Sequence, residues 1–227
     1  MSGPAGAFFD VDGTIVASDI VRYGVEIRTA EKGRLARWLW LAAFLPRVPL
    51  YLVLDAIDRA RFQRSFYRLY RGMEAEELRL RAEALFEHYV RPRVRPEALA
   101  RLARHAERGP RVVLVTGSVE TIVRPLADHL GVRDVIAPRL ARADGRLTGE
   151  LEEAPLAGER KAAAVAGFAK RHGLDPVRCH AYGDSRDDVP MLERVGRASV
   201  VNPDRRLRAL AAERGWEILE WPEPEGA

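Results

Sequence analysis

The feature that most constrains the fold is a rhythm that is broken once. Residues 7–11 form a short apolar run ending in Asp-Val-Asp-Gly-Thr, which reads as a buried strand emptying into a loop. From residue 97 onward, short β-branched runs alternate with helical segments. Helices are expected over 97–108, 119–130, 160–172 and 204–214, with a helical turn at 190–195. Strands are expected over 111–116, 132–137, 179–182 and 198–201, with an edge strand at 216–219. Residues 139–152 alternate around Asp144-Gly145, a hairpin signal. Such alternation predicts an α/β fold: a Rossmann-like parallel sheet with helices on both faces. Between the two parts, residues 34–45, 50–70 and 75–89 carry apolar side chains at three- and four-residue spacings. The expected organisation is a core of residues 1–17 and 97–227, with an inserted α-helical cap domain over 18–96.

Composition narrows the class. The chain has 227 residues, 47% hydrophobic and 31% charged, enough for one sizeable core and a smaller module. A single cysteine, Cys179, excludes an internal disulfide and points to a reducing, cytoplasmic setting. The net charge of +4 is spread along the chain without a clustered basic stripe, so nucleic acid is not expected as a partner. The first residues lack a basic region followed by an apolar stretch, and do not read as a signal peptide. Residues 38–54 are almost wholly apolar but are interrupted by Pro46, Arg47 and Pro49. They read first as a buried helix–turn–helix element. The sharper alternative is a peripheral membrane contact, flanked by Arg34, Arg37, Arg47, Arg59 and Arg61.

Three expected strand ends carry chemistry. Asp10 and Asp12 stand two apart, with Gly13 to turn the chain and Thr14 to add a hydroxyl. Burying such carboxylates is costly unless a cation or hydrogen bonds answer them. Asp184, Asp187 and Asp188 form a second acidic cluster after a strand. Two acidic strand ends in one α/β domain suit a hard, oxygen-loving cation, Mg²⁺ by preference. Thr116 and Gly117, followed by Ser118, offer a hydroxyl and bare backbone N–H groups, the parts of a phosphoryl cradle. Lys161 is one of only three lysines in an arginine-rich chain and opens a helix. A compact point charge is favoured there over a guanidinium fork. Taken singly, each feature is an ordinary turn, helix start or surface lysine.

Their order is what sets them apart. FFDVDGTI (8–15), VVLVTGS (112–118), GERK (158–161) and YGDSRDDVPML (182–192) together resemble the haloacid dehalogenase-like (HAD) hydrolase superfamily, subfamily IB, in its phosphoserine-phosphatase-like branch. The resemblance covers essentially the whole chain. It implies a Mg²⁺-dependent phosphomonoester hydrolase with an aspartyl-phosphate intermediate. Asp10 would be the nucleophile, and Asp12 the general acid and then base. Mg²⁺ would be held by Asp10, Asp12 through its backbone carbonyl, and Asp184. Thr116, Gly117 and Lys161 would grip the phosphoryl oxygens, with Asp188 and Asp187 in support. Asp19 would meet a polar group of the substrate, a small-molecule phosphate ester such as phosphoserine. Arg64, Arg68 and Arg71 are candidates for a substrate carboxylate. A lipid-linked phosphate at a membrane surface is the alternative substrate, and a non-catalytic binding module the remote one.

Overall fold

The computed structural model describes residues 3–224; the outermost residues of the expected core, 1–2 and 225–227, lie outside that span. The first strand, β1 (Gly6–Asp10), is buried along its whole length. Its alternate side chains feed two separate apolar layers. Phe8 meets Phe168 edge-on at 6.1 Å on one face, and Phe9 stacks on Tyr182 at 4.2 Å on the other. A strand covered on both faces must be apolar at consecutive positions, which is what Ala7-Phe8-Phe9 supplies.

Around it lie β2 (Arg111–Val115), β3 (Asp134–Ile136), β6 (His180–Gly183), β7 (Arg197–Val201) and β8 (Glu217–Leu219). The sheet order is β3-β2-β1-β6-β7-β8 and every pairing is parallel. The chain moves outward from β1 on one side, then returns to its other side at β6. The switch point therefore falls at the carboxyl ends of β1 and its two neighbours, the usual ligand edge of an open α/β sheet. The helices packed on the sheet are α6 (Pro96–Arg108), α7 (Glu120–His129), α8 (Gly158–Arg171), α9 (Val189–Leu192) and α10 (Arg205–Arg214). The expected hairpin forms as β4 (Leu140–Ala143) and β5 (Arg146–Leu151), turning at Asp144-Gly145 with positive φ at both.

Between β1 and β2 the chain builds a helical insert. It comprises α1 (Ile20–Thr29), α2 (Arg34–Phe44), α3 (Val48–Ile57), α4 (Arg59–Tyr67) and α5 (Ala75–Leu85). Asp58 divides the segment 50–70: extended at φ −154°, it accepts from the Arg61 N–H and so caps α4. An aromatic ladder joins the helices, with Tyr51 5.9 Å from Phe62 and 5.7 Å from Phe66. The insert is also tied to the hairpin. Gly72 N–H donates to the Leu147 carbonyl and Leu147 N–H to that of Met73, each at 2.8 Å.

Residues 38–54 do not form the buried helix–turn–helix favoured from sequence. α2 passes through one 3-10 turn at Leu45–Arg47 directly into α3, its backbone helical throughout. Pro46 and Pro49 sit in the first positions of the turn and of α3, where a missing N–H forfeits little. Of residues 34–54 only Phe44 and Tyr51 are buried.

Candidate active site

β1 delivers Asp10 to the switch point, and the chain then turns sharply. Gly13 has φ +85°, and a Cβ there would stand 2.2 Å from Asp184 Oδ2. A bare glycine is thus required twice, by the backbone and by the approach of the second acidic cluster. The Thr14 hydroxyl lies 3.2 Å from Asp10 Oδ2 and 3.1 Å from Asp184 Oδ1. With one proton, it donates to one of them at a time.

Lys161, in the first turn of α8, is buried and sends its ammonium between Asp10 Oδ1 and Asp188 Oδ1. The other oxygen of Asp188 accepts from Ser185 Oγ at 2.9 Å, from Ser185 N–H at 3.2 Å and from Asp184 N–H at 3.3 Å. Asp188 therefore fixes both Lys161 and the loop after β6. Burial alone would raise its carboxyl, but Lys161 and Ser185 outweigh that and hold it below its ordinary range. Burial would neutralise Lys161, yet the two carboxylates keep it charged.

Asp12 faces elsewhere. Its Oδ2 accepts from Thr116 Oγ1 at 2.7 Å and Ser118 Oγ at 2.8 Å, and the buried Tyr23 hydroxyl faces the same carboxylate. Burial raises its pKa against the pull of the Thr116, Ser118 and Tyr23 hydroxyls. Thr116 itself accepts from Ser118 N–H at 2.9 Å, closing the turn after β2. Asp10 is pushed well above the ordinary range by burial, opposed by Lys161 and reinforced by Asp188 and Asp184. Asp184 is pushed up to about 7 by burial and the Asp188 charge.

The electrostatic imbalance tests the fit of a metal. One oxygen each of Asp10, Asp184 and Asp188 lies within 4.8 Å of the others, and Lys161 is the ammonium placed among them. An all-oxygen donor set with excess negative charge suits a hard divalent cation. The side chain of Asp12 is not in that cluster, so any share it takes in a metal falls to its backbone carbonyl.

The insert closes over this edge. A Cβ at Gly117 would stand 2.3 Å from Gln63 Nε2 of α4, and the Tyr67 hydroxyl donates to the Gly117 carbonyl. Gln63 Oε1 is buried without a hydrogen-bond partner. Asp187 lies 3.9 Å from Arg59 at the start of α4. Asp19 is more than half exposed and caps α1 by accepting from the Val21 and Arg22 N–H groups. Arg68 pairs with Glu150 at 3.3 Å on the exposed surface. The structure thus gathers Asp10, Asp12, Thr116, Gly117, Lys161, Asp184 and Asp188, sets Asp187 at the rim and gives Asp19 a capping bond. Sequence reasoning did not single out Gln63 or Tyr67, and it gave Arg59 to the flank of the apolar segment and not to the site. Gln63 did leave a trace, as a lone polar residue on the apolar stripe of Phe62, Phe66 and Tyr70. A cavity of about 1040 Å³ lies away from the carboxylates, between α5, α7 and the hairpin.

The chain belongs to the haloacid dehalogenase-like hydrolase family, in its phosphatase branch; the family model matches residues 7–193. A probable phosphatase of Mycobacterium tuberculosis is 35% identical over 227 residues, covering 96% of this chain and 76% of that protein. A phosphoserine phosphatase of the same organism is 34% identical over 225 residues, covering 96% and 71%. The fold also matches a solved phosphoserine phosphatase carrying a phospho-aspartyl intermediate analogue, with TM-score 0.70, 18% identity and coverage of 98% and 95%.

Proposed function

We propose that the chain is a Mg²⁺-dependent phosphomonoesterase that forms an aspartyl-phosphate on Asp10. The observation that carries the reading is the separation of its two aspartates. Asp10 is held by Lys161, while Asp12 stands apart on the Thr116–Ser118 turn with its proton favoured by burial.

In this mechanism an Asp10 oxygen attacks phosphorus in line and the bond to the leaving alkoxide breaks. Protonated Asp12 gives its proton to that alkoxide, then takes one from the water that cleaves the acyl-phosphate. Lys161, the Thr116 hydroxyl and the Gly117 N–H hold the transferring oxygens. Asp188 keeps Lys161 aimed, and Asp187 supports the rim. Asp10 and Asp184 through their carboxylates, and Asp12 through its carbonyl, would hold Mg²⁺. When bound, the ion supplies charge neutralisation for nucleophile and phosphoryl group.

Residues 18–96 act as the cap domain over a core of 1–17 and 97–227, with Gln63 and Tyr67 reading the substrate from above Gly117. The setting we infer is cytoplasmic, in keeping with a single cysteine, Cys179, held as a buried free thiol. The substrate class is a small phosphorylated metabolite, phosphoserine-like by relation to the phosphoserine phosphatase above. The exposed apolar face of α2 and α3 favours a second reading, a lipid-linked phosphate.

The deciding experiment is hydrolysis of p-nitrophenyl phosphate with and without Mg²⁺, followed by a panel of phosphorylated metabolites and lipids. Magnesium-dependent release of phosphate, with label trapped on Asp10, supports the reading. A flat baseline in both conditions sinks it.

A further inference from the structure

Eight of the eleven large apolar side chains that are exposed among the described residues fall between positions 35 and 57. Leu35 is 74% exposed, Trp38 71%, Leu52 66% and Ile57 76%. Scattered exposed leucines need no explanation, but a contiguous helical face of them does. The charge of this face is equally uneven. No Asp or Glu occurs from Arg34 to Leu54, and Arg34 and Arg47 are both exposed. Arg47 spends one donor on the Ala43 carbonyl and keeps the rest of its guanidinium outward. Lys32, also exposed, adds charge at the start of the arm.

We propose that α2 and α3 form a docking surface for an anionic lipid bilayer, lying in its interface. The pattern is an apolar helical face with three arginines to one acid, Asp55, and an outward tryptophan, the composition of an interfacial helix. The arm does not cross the bilayer. Its 21 residues from Arg34 to Leu54 are long and apolar enough, but Phe44 and Tyr51 are buried against the insert's own aromatic ladder. One side of the helix is thus held by protein, and the other is left for lipid. A second copy of the chain is the poorer occupant. From Arg34 to Ile57 three arginines stand against one acid, so two such faces packed together carry excess positive charge that an anionic surface answers and a second copy does not. α3 also runs through Asp58 into α4, which carries Arg59 and Gln63 to the active site. The docking stands independently of the catalytic reading, since lipid binding is measured without turnover.

The test is co-sedimentation of the full chain with vesicles of equimolar phosphatidylglycerol and phosphatidylcholine, against phosphatidylcholine alone. The protein should pellet with the anionic vesicles at least about tenfold more tightly than with the neutral ones. Binding should weaken with salt, and tryptophan emission should shift to the blue on binding. Trp38→Glu with Leu52→Glu should abolish pelleting while leaving p-nitrophenyl phosphate hydrolysis and the thermal midpoint unchanged. Arg34→Gln with Arg47→Gln should weaken anionic binding about tenfold or more and leave neutral binding as it was. Protein that stays in the supernatant at low salt, or binds both vesicles equally, overturns the proposal. So does a dimer in light scattering that the Trp38→Glu, Leu52→Glu chain loses, which would assign the face to a second copy.

Discussion

At the carboxyl edge of the sheet, charged groups are buried; along α2 and α3, apolar groups are exposed. Each region inverts the ordinary distribution of side chains, and in opposite directions. The first is held together by specific pairing: Lys161 between Asp10 and Asp188, Asp12 on Thr116 and Ser118. The second makes few such bonds, and its outward side chains contribute little to the fold. Substitutions at the sheet edge should therefore cost both activity and stability, whereas those on the outer arm should cost neither.

The largest expected effect is at Asp10. Asp10→Asn should lower kcat by about 10⁴-fold or more, with the circular dichroism spectrum of the folded chain retained. Turnover within tenfold of the parent, roughly 1.4 kcal/mol, would move the nucleophile elsewhere. Lys161→Met comes next. It leaves Asp10 and Asp188 buried without their ammonium, and stability should fall by about 3–5 kcal/mol in denaturant melts. Within the arm itself the contrast sharpens. Phe44→Ala, on the buried side, should cost about 3–5 kcal/mol, while Leu52→Ala should stay within about 0.5 kcal/mol. Equal losses at the two positions would show that the outer face is packed after all.

Magnesium should act through Asp184. Because burial and Asp188 raise this carboxyl from 3.8 to about 7, the metal-free fold retains a proton there that the unfolded chain has released. Stability of the metal-free chain then falls as pH rises through that window, and levels off above it. A divalent ion competes with that proton. At about a hundred times its Kd it should raise the melting temperature by about 5–10 °C, more at about pH 8 than at about pH 5. A larger shift at the lower pH would remove Asp184 from the ligand set. At the sheet edge the smallest effect is at Tyr67. Tyr67→Phe removes the bond to the Gly117 carbonyl and should cost about 0.5–1.5 kcal/mol, read as a modest rise in KM or loss of stability.

Legibility in the sequence followed how local each cause was. The strands and the hairpin could be read because β-branched runs and Asp144-Gly145 act over a few residues. The gathering of Asp10, Thr116, Lys161 and Asp184 could be read because each sits at a strand or helix terminus, and a parallel sheet brings such ends to one edge. The environment of residues 38–54 was misjudged because an apolar helix has the same sequence whether protein or lipid covers it. Gln63 and Tyr67 were missed because they share a helical stripe with Phe62, Phe66 and Tyr70, and only the closure of the insert turns them toward Gly117. Asp19 faced two uses, and the backbone of α1 claims it as a cap.

The central strand has a consequence for biosynthesis. β1 leaves the ribosome well before one of its two flanking strands: Phe8 and Phe9 pair with Ala181 and Tyr182, 173 residues later. Until that stretch emerges, a sticky β-edge waits without its second neighbour. High contact order of this kind slows folding and exposes the nascent chain to aggregation. Chaperone demand during translation should thus persist until β6 has been made and has paired with β1.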